Sequence, residues 1–217
     1  MEQTKKQVFV IDDHELVRQG LKQLINGEPD LQVCAEAASV KEVSKLKKTV
    51  KPDLAIVDIS LPDGNGLDLV KQLRRWRPAM PIIVLSMHDD ELFAERALNF
   101  GALAYINKQN SAEKLLIGIR EVLNNKIYVS SLINERLLRR ITGKTDCTSL
   151  SPLTSLSDRE LQVFEGIGRC KKTKVIAADL NLSIKTIETY KSNIKRKLNL
   201  QSGEELTRAA ILWSVES

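Results

Sequence analysis

Five short strand-like segments, separated by stretches of helical periodicity, constrain the fold of this chain more than any other feature. They are Val8–Ile11, Leu31–Ala37, Leu54–Val57, Ile82–Leu85 and Leu103–Ile106. Short and mostly apolar runs of this kind read as strands covered on both faces. The segment from His14 to Asn26 between the first two carries Val17, Leu21 and Leu24 at helical spacing and stops at Gly27. Ser39 with Glu42 makes a capping box that opens a helix to Val50. Further helices are predicted over Leu67–Arg75, closed by Pro78, and over Glu91–Phe100, closed by Gly101. Ser111 starts a fifth, with Leu115, Ile119 and Val122 aligned. Strict alternation of this type predicts a parallel sheet with helices on both faces. The expected fold is α/β, a flavodoxin-like doubly wound five-stranded parallel sheet with its ligand crevice at the carboxyl ends of the strands.

Those ends carry unusual chemistry. Asp12 and Asp13 follow the first run, Asp58 the third and Ser86 the fourth, while Lys108 stands just past the fifth. The fold brings all of them to one rim. Asp58 is followed by I-S-L-P-D-G-N-G, whose Pro, Asp, Asn and Gly residues specify tight turns. Three carboxylates sharing a rim repel one another unless a cation intervenes, and an all-oxygen donor set suits Mg2+. A metal there can neutralise charge in phosphoryl transfer, with a carboxylate as the nucleophile and Lys108 as a point charge. Each residue also has a plainer reading: Asp58 as a strand terminator, Asp13 as a helix N-cap, Ser86 as a strand-end hydroxyl, Lys108 as a surface lysine.

The second half of the chain differs in charge. Residues 1–124 hold 17 Lys/Arg against 18 Asp/Glu, whereas residues 169–197 hold nine against two. Such asymmetry points to a polyanionic partner for the second half. Ser130–Ile141 reads as a short amphipathic helix, and the Ser/Thr-rich Lys144–Ser155 as a linker. Ser157 with Glu160 then caps a new helix, Lys174–Leu180 forms a second, and Ser183 caps a third that runs to Leu198. Ile187, Ile194 and Leu198 make the core face of that third helix, opposite Lys185, Glu188, Thr189, Ser192 and Arg196. Ser202 with Glu205 opens a last helix to Trp213. Short helix, tight turn and a helix with a polar outer face are helix-turn-helix organisation, so a small all-α unit follows the α/β one. The expected boundaries are 1–125, a connection over 126–155, and 156–217.

No apolar run reaches the length of a membrane span, and the chain starts with no secretory segment. Cys34, Cys147 and Cys170 are scattered and odd in number, which fits a reducing cytoplasm.

The Asp12–Asp13 pair, Asp58 with L-P-D-G-N-G, Ser86 and Y-I-N-K at Tyr105–Lys108 resemble the receiver domains of two-component response regulators. T-I-E-T-Y-K-S-N-I-K-R-K-L at Thr186–Leu198, preceded by K-V-I-A-A-D-L, looks like a LuxR-type DNA-binding domain. Together they resemble the NarL/FixJ class. That resemblance implies Mg2+ bound by Asp12, Asp13, Asp58 and the backbone carbonyl of Ser60 or its neighbour Ile59. It implies Asp58 as phosphoacceptor from a sensor histidine kinase, assisted by Lys108 and Ser86, with Ser86 and Tyr105 as the switch pair. It implies a homodimer on double-stranded DNA, with RNA polymerase as a further partner and no membrane partner.

The third helix of the second unit would enter the major groove, presenting Lys185, Glu188, Thr189 and Ser192 to the bases, with Thr186 and Tyr190 beside them. Lys174, Lys191, Lys195 and Lys197 suit phosphate contacts. Leu206, Ala209, Ala210 and Trp213 on the last helix are the expected dimerisation residues.

Three positions depart from the family pattern: Gln109 replaces the proline common after the lysine, Cys170 a common glycine, and Tyr190 a common histidine. Outside its φ < 0 range Cys170 would carry a steric cost that glycine escapes. The rival readings are a phosphatase using Asp58, which lacks the second carboxylate at Ser60, and a regulator that binds DNA without phosphorylation, its first unit serving to dock proteins. The chain is expected not to be an enzyme beyond assisting its own phosphorylation and dephosphorylation.

Overall fold

The computed structural model describes residues 4–87, 91–109, 112–131, 133–135 and 152–216. The chain divides into two compact units, 1–135 and 136–217. The first unit therefore reaches past residue 125, and the physical reason is Tyr128. Its N–H donates to the Leu103 carbonyl at 2.9 Å, and its carbonyl accepts from Tyr105 N–H at 3.3 Å, adding a one-residue parallel bridge to the sheet edge. Ile133 is 5% exposed.

In the first unit β1 (Lys6–Ile11), β2 (Leu31–Ala37), β3 (Leu54–Asp58), β4 (Ile82–Ser86) and β5 (Ala104–Asn107) form one sheet. Their spatial order is β2-β1-β3-β4-β5, all parallel, as the alternation of elements predicts. The helices α1 (Glu15–Asn26), α2 (Val40–Leu46), α3 (Gly66–Trp76), α4 (Glu91–Asn99) and α5 (Ala112–Leu123) cover it.

Alternating side chains split the core in two, because successive strand residues point to opposite faces. Val8, Val10, Leu54, Ile56, Ile83 and Leu85 cluster with Leu21 and Ile25 of α1 and with Leu115, Ile119 and Val122 of α5. Phe9, Ile11, Ala55, Val57, Ile82 and Val84 are equally buried and project to the other face. Burial of the central strands on both sides is why their sequences show no polar alternation.

Element ends differ from expectation in several places, among them the first strand, which starts at Lys6, and the last helix, which runs to Glu216. The helix opened by Ser39 stops at Leu46, four residues before Val50. The N-cap of α1 is His14, not Asp13, and its side chain makes no capping hydrogen bond. Ser111, His88, Cys147 and Arg136–Ile141 of the predicted connecting helix lie outside the described residues; residues 131 and 133–135 are helical.

In the second unit α6 (Asp158–Gly168), α7 (Thr173–Asp179), α8 (Ile184–Lys197) and α9 (Gly203–Glu216) enclose a small core, with α6 packed on α8 and α9. Ser157 and Glu160 complete a reciprocal capping box at α6, and Ser183 accepts from Thr186 N–H at 3.0 Å to cap α8. Cys170 does occupy the left-handed region, at φ 55°, in the turn between α6 and α7. Among the described residues no helix is long and apolar enough to cross a membrane.

Candidate functional site

Strand register puts the rim together. Asp58 is the last residue of β3 and pairs in register with Leu85, one residue before Ser86 at the end of β4. Ser86 in turn is in register with Asn107, and its carbonyl accepts from Lys108 N–H at 2.7 Å. That bond aims Lys108 back over the sheet edge. Its Nζ lies 2.9 Å from Asp58 Oδ2 and 2.6 Å from Asp12 Oδ2. Among the described residues no peptide bond is cis, so the chain turns at Lys108–Gln109 through a trans bond, and Gln109 N–H donates to Asn107 Oδ1 at 2.8 Å.

The turn after Asp58 is held from both sides. Asp63 accepts from the N–H groups of Val40 and Lys41 at 2.8 and 3.0 Å, satisfying the open N-terminus of α2. Asn65 accepts from Leu67 N–H at 2.7 Å and so caps α3. Gly66 is obligatory by proximity: a Cβ there would stand 1.9 Å from the Asp58 carbonyl oxygen. Gly66 N–H donates to the Ile59 carbonyl at 2.8 Å, which engages one of the two carbonyls considered as metal ligands.

Asp12 is 1% exposed and Asp58 3%. Burial pushes the Asp58 carboxyl up to about 6, against the pull of the Lys108 ammonium and the Ser60 N–H. Burial pulls Lys108 down, but Asp58 and Asp12 outweigh it and its net shift is upward. Ligand atoms of Asp12, Asp13, His14 and Asp58 all lie within 4.8 Å of one another. Three carboxylates face a single lysine in this cluster, so the site carries excess negative charge in a desolvated place. Hard oxygen donors with that excess fit Mg2+, and Asp12, Asp13 and Asp58 would hold it with the Ser60 carbonyl. Ser86 is fully buried and the Tyr105 ring is 3% exposed, so the ring lies inward.

His14 was not singled out in the sequence, yet its Nδ1 lies 2.7 Å from Asp13 Oδ1. Only adjacency to the acidic pair could have flagged it. Arg18, which donates to the Asp12 carbonyl at 2.8 Å, was likewise missed; it lies one helical turn beyond His14.

In the second unit the predicted DNA residues fall into two groups. Lys174, Lys185, Glu188, Thr189 and Ser192 are exposed, and Tyr190 and Lys195 are half-buried. The hydroxyls of Thr189 and Ser192 donate to the carbonyls of Lys185 and Glu188, each at 3.0 Å. Thr186 belongs to the cap, its Oγ1 being 2.8 Å from Ser183 Oγ. Lys191 lies 3.0 Å from Glu188, and Lys197 lies 2.6 Å from Glu160 of the α6 capping box. Those two ammonium groups therefore have carboxylate partners within the unit.

The expected dimerisation residues differ in how much of their surface α9 leaves open. Leu206 is 1% exposed and Ala210 fully buried, because that side of α9 faces α6. Trp213 packs against Phe164 with ring centroids 5.7 Å apart and the ring planes tilted by 50°. Ala209 is half-buried, and among the described residues of α9 Leu212 is an exposed large apolar side chain, 55% exposed.

A doubly wound sheet with buried carboxylates gathered about one lysine, and a capped helix-turn-helix with a basic face, define a receiver-and-DNA-binding class of protein. Residues 8–120 match the response regulator receiver domain, and residues 154–210 match the bacterial regulatory proteins of the luxR family. Over 204 residues the chain is 32% identical to the response regulator GacA of Pseudomonas aeruginosa, covering 94% of each. Over 210 residues it is 34% identical to the oxygen regulatory protein NreC of Staphylococcus epidermidis, covering 94% of this chain and 96% of that one. A solved structure of two RcsB dimers bound to two parallel DNAs is 25% identical, with a TM-score of 0.58, over 98% of this chain and all of the other. The chain belongs to the two-component response regulators of the NarL/FixJ class, with a receiver domain and a LuxR-type DNA-binding domain.

Proposed function

We propose that this response regulator is switched by phosphorylation of Asp58 and controls transcription as a DNA-bound homodimer. The observation that carries the reading is the buried Asp58 carboxylate at the β3 tip, 2.9 Å from Lys108 and beside two further carboxylates. A carboxylate oxygen of Asp58 attacks phosphorus in the phosphohistidine of a sensor kinase. The P–O bond forms as the P–N bond breaks, and the electron pair stays on the imidazole nitrogen. Lys108, freed from part of its contact with Asp58, pairs with the phosphoryl oxygens. Asp12, Asp13, Asp58 and the Ser60 carbonyl would hold Mg2+, which when bound would add to the neutralisation of phosphoryl charge. Ser86 hydrogen-bonds the new phosphate, and the inward Tyr105 ring fills the space its hydroxyl vacates.

Tyr105 also touches the segment after α5 through its backbone, which gives the switch a route to the connection. Phosphorylation is thus a local charge event biasing a two-state element. In the second unit α8 enters the major groove, with Lys185, Glu188, Thr189 and Ser192 toward the bases and Lys174 and Lys195 toward phosphates. The RcsB dimers bound to DNA support pairing of two such units, and the exposed Leu212 of α9 gives an apolar contact for it. RNA polymerase is the downstream partner, and a DNA target read by a kinase-driven switch sets the cytoplasm as its place of action. The chain catalyses only its own phosphorylation and dephosphorylation.

The test is labelling with acetyl phosphate and Mg2+, followed by DNA selection from a random duplex pool. Wild type is expected to gain one base- and hydroxylamine-labile phosphoryl group, as an acyl phosphate requires, and to bind paired half-sites more tightly; Asp58→Ala should show neither. Equal labelling of the two proteins would remove Asp58 as the acceptor.

A further inference from the structure

Three polar side chains from two helices meet on the face of the second unit that the proposed function turns toward DNA. Thr173, the first residue of α7, donates its hydroxyl to Glu188 Oε1 of α8 at 3.3 Å. Lys191 Nζ stands 3.0 Å from the same oxygen and 3.4 Å from Thr173 Oγ1. An exposed Lys–Glu pair one helical turn apart has little energetic weight by itself. Here a third group, held on a different helix, restricts the carboxylate further, and Lys191 is only 28% exposed.

Two consequences follow from that geometry. The Lys191 ammonium offsets the Glu188 charge, which lets a carboxylate approach a polyanion. Both contacts fall on Oε1, which keeps Oε2 available as an acceptor, and a carboxylate already oriented loses less side-chain entropy on binding. Glu188 is the fifth residue of α8, in the half of a recognition helix that reaches base edges. In the major groove the donor that suits a carboxylate acceptor is the exocyclic amino group of cytosine.

We propose that Thr173 is a specificity-positioning residue: with Lys191 it fixes the Glu188 carboxylate to read a cytosine amino group. The proposal rests on the DNA-binding reading above, and sequence specificity, not affinity, is what it predicts.

The experiment uses the full chain. Duplexes selected from a random pool are compared with versions in which single cytosines of the selected half-site are replaced, and dissociation constants are measured for each. Wild type should prefer one cytosine, and Glu188→Gln should abolish that preference. Thr173→Val should reduce it by about fivefold, on the scale of a single base contact, with affinity for unrelated duplex unchanged. Thr173→Ser, which keeps the hydroxyl, should restore it. A Thr173→Val protein that keeps the wild-type preference would overturn the proposal. So would a Thr173→Ser protein as impaired as Thr173→Val, since the position would then matter for packing alone. A wild type with no salt-sensitive duplex binding would overturn the DNA-binding reading itself, and that result shows before any variant is made.

Discussion

Replacing Asp58 by asparagine should stabilise the metal-free protein at neutral pH. Burial pushes the Asp58 carboxyl from 3.8 to about 6. At about 1.4 kcal/mol per pH unit, ionising it in the folded state costs roughly 3 kcal/mol. A carboxyl raised on folding favours the folded state while it is protonated, below about pH 4. That contribution is lost as pH rises through about 6. Asparagine is neutral throughout. The stability gap between Asp58→Asn and wild type should therefore be small at pH 4, open between pH 4 and 6, and level off above that. Its plateau, about 3 kcal/mol, corresponds to roughly 10 °C in the Tm of the receiver unit. The assay is thermal and urea unfolding in EDTA across that pH range, followed by circular dichroism. Adding Mg2+ should narrow the gap, because a ligand of the folded state stabilises the wild type by mass action and the variant has lost one carboxylate ligand. A gap that does not change with pH, or a wild type more stable than the variant at pH 7 in EDTA, would refute the reasoning.

Gly66→Ala should destabilise the receiver unit by about 3 kcal/mol or more in urea unfolding, since its Cβ would meet the Asp58 carbonyl oxygen, a backbone atom that a side-chain rotation cannot clear. Leu206→Ala should cost the second unit about 2–5 kcal/mol as a core deletion. Leu212→Asp, at an exposed position, should leave its stability within about 0.5 kcal/mol while lowering self-association on DNA in analytical ultracentrifugation. Ser157→Ala should cost about 1 kcal/mol through loss of the α6 capping box. Lys174→Gln and Lys195→Gln should each weaken DNA binding on all sequences and reduce the slope of log K against log salt by about 1.

Much of the receiver was legible because its signals are local or set by the fold as a whole. Strand runs such as Ile82–Leu85 have no polar alternation because both faces are buried, and once the strands are parallel their ends share a rim. Asp12, Asp58, Ser86 and Lys108 could then be brought together from position alone. The caps at Ser39 and Ser157 were visible for a similar reason: each serine accepts from the N–H three residues on, though at Ser39 the Glu42 carboxylate returns to Ala38 N–H, whereas Ser157 and Glu160 close the reciprocal box. Where one turn of chain separates partners, as with Lys191 and Glu188, the contact was available but the competing phosphate role hid it.

Tertiary structure decided what depends on partners distant in sequence. Lys197 has a suitable charge for a phosphate contact, yet Glu160, 37 residues earlier, lies 2.6 Å from it. Thr173 reads as a helix-start hydroxyl until α7 and α8 bring it within 3.3 Å of Glu188. On α9, Leu206, Ala210 and Leu212 are all apolar, and only the position of α6 shows which are core and which face solvent. The sequence by itself determined the alternating architecture, the acidic rim and the basic helix-turn-helix, because periodicity and strand-end position need no knowledge of neighbours. The direction of each charged side chain, and the face of the last helix left open, came from packing between elements, which periodicity does not encode.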